Sequence, residues 1–191
     1  MRCQIYLVLL ALTTWLTMAC GDPTPDSELP WQLVNEAGVV MVPTRDLLPY
    51  DGWQQDSASV QADADAFGVA PDCITPLPRI ETDVVEFDTG ICGSYTVRVP
   101  LAAPLRAGDR VELLVAHTLL SAPEAAEGRL VVRIDGEEVW RWVKSIPEPA
   151  AAASPRFVVT RDLPAGTWLG VHVSNHGANN WRLYGIRTWT P

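Results

Sequence analysis

Two strand-like runs, Leu130 to Ile134 and Glu138 to Val143, flank the dipeptide Asp135-Gly136. A two-residue turn between twisted antiparallel strands needs positive φ at both positions, and Asp-Gly tolerates it. The segment therefore predicts a β-hairpin. The same punctuation recurs along the chain. Val39 to Val42 is a short apolar run. Val84 to Phe87 precedes the turn residues Asp88-Thr89-Gly90, and Tyr95 to Val99 alternates before stopping at Pro100. Arg110 to His117, Phe157 to Thr160, Thr167 to Ser174 and Trp181 to Trp189 complete about eight strands. Helix is scarce. Ala122 to Gly128 has room for one turn, Pro147 to Ala153 reads as a proline-bracketed loop, and Asp56 to Gly68 reads as a short helix or an ordered excursion. The expected fold is all-β: an antiparallel β-sandwich, jelly-roll-like, with little helix.

One internal echo supports two packed sheets. Leu105-Arg106-Ala107-Gly108 leads into Val111, Leu113 and Val115. Leu163-Pro164-Ala165-Gly166 leads into Leu169, Val171 and Val173 at matching offsets. The echo covers about twelve residues, too few for a repeat protein, and predicts two equivalent crossings in a symmetric sandwich. The strand and turn pattern from Val84 to Trp189 resembles the galactose-binding-like jelly rolls, a group that includes many carbohydrate-binding modules. That resemblance implies a ligand site at the loop ends or on one sheet face.

The N-terminus has the pattern of an export signal, which predicts a domain outside the cytoplasm. Arg2 precedes the apolar run Ile5 to Leu12, which is shorter than the roughly 20 residues that span a bilayer. Ala19 then stands before Cys20, as at the end of an export signal. This arrangement resembles the signal of bacterial lipoproteins, in which the cysteine becomes the lipid-bearing N-terminus. Thr17 stands where that family usually has Leu, and Met18 is larger than usual. The alternative is an ordinary secretory signal cut near Cys20. The resemblance implies a signal over residues 1–19, a lipidated Cys20 within a flexible linker over 20–31, and a single domain over 32–191. It also implies anchoring in the cell envelope, with the outer membrane favoured because Asp does not directly follow Cys20.

Of the four cysteines, Cys3 leaves with the signal and Cys20 takes the lipid. Cys73 and Cys92 remain as one pair in an oxidising compartment, and a disulfide is expected between them. A catalytic Cys92 is disfavoured by the poor match of Ile91 to Tyr95 to a papain-like signature. Loss of Arg2 with the signal leaves thirteen basic side chains against 23 acidic ones, a formal charge of −10. Nucleic-acid binding needs a basic footprint, so this balance argues against it. Membrane contact is expected through the N-terminal lipid alone.

Seven of the eight tryptophans lie beyond the signal. Trp140 and Trp142 are two apart and share one strand face. Facing inward they are core; facing outward they form an aromatic platform for a ligand. The segment His172 to Arg182 is the densest polar cluster. Gly177, Asn179 and Asn180 suit a turn. A functional reading adds His176, Asn179, Asn180, Trp181 and Arg182 as a hydrogen-bonding rim for a polyol. His117, His172 and His176 lack the spacing of a metal site, so no metal or other cofactor is expected. Asp63 and Asp65 offer calcium only two side chains, where six or more oxygens are needed.

No Gly-x-Ser-x-Gly, His-Glu-x-x-His or phosphate-binding loop occurs. The acids Asp83, Glu86, Asp88, Asp135, Glu137 and Glu138 fall at turns and strand edges, and no catalytic pair is assigned. The expectation is a lipid-anchored binding module without enzymatic activity, facing a glycan. The rival expectations are an envelope lipoprotein that docks a protein partner, and a small hydrolase whose site the sequence does not display.

Overall fold

The computed structural model describes residues 31–33, 42–67 and 77–190. The expected signal, Cys20, most of the linker and Cys73 lie outside the described residues. The chain begins with three short strands, β1 (Trp31–Leu33), β2 (Val42–Asp46) and β3 (Gln54–Gln55), and one helix, α1 (Val60–Phe67). Ten strands follow: β4 (Arg79–Glu81), β5 (Val84–Asp88), β6 (Ser94–Pro100), β7 (Arg110–His117) and β8 (Ala126–Ile134), then β9 (Glu137–Ile146), β10 (Ala151–Ala153), β11 (Arg156–Val159), β12 (Trp168–Ser174) and β13 (Asn180–Thr190).

These strands form two sheets, and every pairing is antiparallel. The larger sheet runs β1-β11-β7-β13-β5-β4, with β10 also on β7 and β2 also on β13. The smaller runs β3-β6-β12-β8-β9. The fold is an all-β sandwich, as the strand pattern predicts. Alternation along β7 turns Val111, Leu113, Val115 and His117 inward. Phe87, Phe157, Trp181, Leu183 and Ile186 complete that side of the core. Tyr95, Val97 and Val99 of β6, Leu169, Val171 and Val173 of β12, and Leu130, Val132 and Ile134 of β8 oppose them. Phe87 meets Tyr95 edge-on at 5.6 Å, which ties β5 to β6 across the layers.

The Asp135-Gly136 hairpin forms as expected, with φ of 56° and 81°. The echoed segments meet each other. Leu105 N–H donates to the Leu163 carbonyl at 2.9 Å, and Leu163 N–H returns the bond at 2.8 Å. Gly108 and Gly166 turn the chain at positive φ, after which β7 enters the larger sheet and β12 the smaller. One crossing thus serves each sheet.

The described residues hold thirteen strands, including two- and three-residue ones that carry no alternation to read. Two expectations are corrected. Ala151–Ala153 is a strand rather than a loop: it pairs with the His117 to Val115 stretch of β7, whose edge β11 leaves open there. Ala122 to Gly128 makes no helical turn. β8 starts within it, with Ala126 opposite Ile146. Asp56 to Gly68 does yield the short helix α1. Cys92 is buried and disulfide-bonded.

Candidate binding face

The residues expected to bind ligand divide between structural and accessible positions. Trp140 and Trp142 lie on β9 opposite Val132 and Leu130, so both rings turn toward the space between the sheets. They are half-buried. β9 is the outer strand of the smaller sheet, which leaves the pair at the rim of the sandwich rather than at its centre. The two rings are 5.7 Å apart, tilted by 41°. Trp142 packs on the buried His117 ring at 4.8 Å and edge-on to Trp181 at 6.0 Å. The Lys144 ammonium lies 5.4 Å from the Trp142 ring centre and is held by Glu148 at 2.9 Å. His117 Nδ1 meets the Thr118 carbonyl at 2.8 Å, so that nitrogen carries the proton and donates. The pair is therefore neither sealed core nor a flat outward platform. It is an aromatic rim backed by an imidazole.

Trp181 is removed from the ligand-binding set. It lies between Phe87 and His117 in the middle of the larger sheet, with no exposed surface. Arg182 is removed as well. It follows Trp181 along a strand, so it points to the opposite face. There its Nε donates to Glu86 at 2.8 Å. Hydrogen bonds to Tyr184 and Glu86 raise its pKa further.

Asn179 is structural too. It is buried; its Oδ1 accepts from Ser121 N–H at 2.6 Å and its Nδ2 donates to the Ser121 carbonyl at 2.9 Å. Thr89 joins the same knot, accepting from Asn175 Nδ2 at 3.0 Å and from the Asn179 N–H at 3.1 Å. Asn180 is half-buried and opens β13 opposite Asp88. His176 alone of this loop is both polar and exposed. It lines a groove of about 720 Å³ with Glu124, Glu127, Arg129, Ser145 and Ile146. Ser145 and Ile146 end β9, so the groove continues the strand that carries the tryptophans.

The outward face of the smaller sheet holds a cluster that the sequence reading missed. Asp63 of α1 is 3% exposed. Its carboxylate accepts from both Arg133 terminal nitrogens, at 2.6 and 3.1 Å, and from Thr96 Oγ1 at 3.2 Å. His172 Nδ1 lies 3.2 Å from Asp63 Oδ2 and 2.9 Å from Thr96 Oγ1. Burial raises the Asp63 pKa. The hydrogen bonds from His172 and Arg133 and their charge outweigh that effect and leave it below its ordinary value. Thr96, His172 and Asp63 do not form a nucleophilic triad. A triad uses the two ring nitrogens for different partners, whereas Thr96 and Asp63 meet the same one.

The two aspartates weighed for calcium have other partners. Both Asp63 oxygens are engaged, and Asp65 accepts from Gln61 at 2.7 Å. The three imidazoles lie apart: His117 on an inward face, His172 outward, His176 on a loop. Among the described residues no group of three His, Cys, Asp or Glu side chains is placed to hold a metal. The signal available in the sequence was two carboxylates, Asp63 and Asp65, in the alanine-rich stretch Gln61 to Ala66, with Arg133 and His172 on expected strands.

No family model matches the chain, and no curated protein matches it. Solved structures with some likeness include the arabinose-bound α-L-arabinofuranosidase MgGH51, at 9% identity and a TM-score of 0.40. That match covers 75% of this chain and 26% of the arabinofuranosidase, so the chain spans about a quarter of that enzyme's length. A CBM4 structure follows at 14% identity and a TM-score of 0.34, covering 56% of this chain and 81% of that one. TmCBM61 in complex with β-1,4-galactotriose is similar at 12% identity and a TM-score of 0.34, over 78% of this chain and 100% of that one.

Proposed function

We propose that the domain is a glycan-binding module without enzymatic activity, carried outside the cytoplasm on a lipid at Cys20. The observation that carries this reading is the Trp140–Trp142 rim. Two half-buried rings lie on β9, an edge strand among the described residues, with Lys144 beside them and a groove of mixed polar and apolar lining continuing along the same strand. Sugar rings stack on aromatic faces while their hydroxyls need donors and acceptors close by. The acids named as hydrolase candidates support binding over catalysis. Glu86 lies on Arg182, Asp135 on Arg161 and Glu138 on Arg141, each within 2.8 Å.

The test is a glycan array probed with the mature chain, followed by titration of the best ligand against Trp142→Ala. A stacking contact predicts that this substitution weakens binding by about tenfold. An array with no retained glycan, or an unchanged affinity in the variant, rejects the reading. The rival is an envelope protein-docking module. It draws on the exposed Val143, 42% accessible, on the same edge strand as the tryptophans. The anchor is tested separately: intact mass of the membrane-extracted protein should show an acyl adduct at Cys20, and Cys20→Ser should release the protein to the soluble fraction.

A further inference from the structure

The outward face of the smaller sheet has the chemistry of a receptor for carboxylates, and the chain's own Asp63 occupies it. Among residues 60–66 of α1, Asp63 alone is buried. Val60 and Ala64 are half-buried, and the other side chains of that stretch face solvent. Eight residues are too few for a helix that is stable on its own in water, so α1 depends on docking. Among residues 60–66 the polar contact with the sheet is made by this carboxylate, which meets Arg133, Thr96 and His172. A guanidinium gripping a carboxylate through two nitrogens, with a hydroxyl and an imidazole alongside, is how proteins bind carboxylate ligands.

The surface next to this grip is shaped for a ring. Trp168, Gly170 and His172 succeed one another on the outward face of β12, roughly 7 Å apart. Gly170 pairs with Arg98 on one side and Arg133 on the other. Among the described residues, a Cβ at Gly170 would meet the Arg133 Cβ alone, at 3.5 Å, so these residues leave the place between the two arginines open. Trp168 borders it, with the Arg98 guanidinium 4.3 Å from the ring centre. Each arginine faces a carboxylate of the chain itself: Arg98 lies 3.8 Å from Asp56, and Arg133 holds Asp63 at 2.6 Å.

We propose that this face is a second ligand site, selective for uronic-acid sugars, and that α1 is a strap sealing it. The ligand's carboxylate takes the place of Asp63 on Arg133, Thr96 and His172. Its ring lies over Gly170 beside Trp168, and α1 leaves the sheet and loses its helical hydrogen bonds. The strap lowers the apparent affinity by the fraction of molecules in which the site is open. The proposal rests on the glycan-binding reading and extends it from the β9 rim to a separate, charge-selective site.

The probes are an oligogalacturonate and the same oligomer with its carboxylates methyl-esterified, titrated into the mature chain. Asp63→Ala should bind the acid about tenfold or more tightly than the native protein and should not bind the ester. Gly170→Val, which fills the open place, and Arg133→Gln should each abolish that binding in the Asp63→Ala background. The native protein gives a measurement that needs no variant to fold: the acid should accelerate amide hydrogen exchange over residues 60–67. Equal affinity for acid and ester overturns the proposal. So does exchange in α1 that stays unchanged at tens of millimolar acid, or acid binding that Trp142→Ala abolishes and Arg133→Gln leaves intact. If a neutral glycan binds through Trp142 while the acid does nothing, this inference alone fails. If no glycan of either kind binds, the underlying reading fails.

Discussion

Asn179 and Ser121 exchange two hydrogen bonds, at 2.6 and 2.9 Å, between a side-chain amide and one residue's backbone groups. The amide stands in for a strand partner and holds the 118–125 connection against the loop before β13. Gly177 is part of the same contact: a Cβ there would lie 2.2 Å from the Ser121 carbonyl oxygen, and its φ is 115°. Asn179→Ala leaves a buried N–H and carbonyl without partners. It should cost about 1 to 3 kcal/mol, read as a lower urea midpoint with an unchanged slope. A loss below a few tenths would show that the loop holds without this amide.

The tryptophans should separate by position. Trp181→Ala empties the core between Phe87 and His117, and about 3 to 5 kcal/mol of stability should go with it. Trp140→Ala at the half-buried rim should cost clearly less. Thermal or urea unfolding of the two variants side by side checks the order, and equal losses would contradict the placement of Trp140 at the rim.

Acid should loosen α1. The folded-state pKa of Asp63 is depressed, so its contribution is fully present above the ordinary carboxylate value and lost as pH falls through the lower folded value. Protection of the amides at residues 60–67, relative to the unstructured rate at each pH, should therefore fall below about pH 4. In Asp63→Asn that pH dependence should be absent, with exchange already fast at neutral pH. A strap whose protection is flat from pH 7 to about pH 2 would contradict the carboxylate's role.

Cys92 is buried within the β5–β6 connection, so its disulfide is expected to matter for the whole sandwich. Reduction, or Cys92→Ser, should lower stability by about 2 to 5 kcal/mol. Peptide mapping of the unreduced protein should link Cys92 to Cys73. Free thiol at both positions would reject that pairing.

The sandwich was legible because its long strands repeat every two residues and its turns carry Asp-Gly or Ala-Gly. The paired crossings at Leu105 and Leu163 were visible for the same reason. The binding residues were less so. A pattern of period two tells which residues share a face, but not which face is inward. Trp181 and Arg182 are adjacent in sequence and on opposite sides of the sheet. Asn179 has the composition of a ligand contact and the geometry of a loop clamp. Asp63, Arg133 and His172 are 70 and 39 positions apart along the chain, and only the docking of α1 on β8 and β12 brings them together.

The smaller sheet ends on one side in β3, two residues long, and on the other in β9, whose register against β8 breaks between Val132 and Arg133 and leaves Val139 unmatched. A stub and a kinked strand are both poor templates for another chain's backbone. Arg141 and Lys144 add charge along the same border. At high local concentration, neighbouring copies would therefore resist fusing into a continuous ribbon. The ten-residue border that holds the tryptophans is thus poorly suited to a partner's peptide groups.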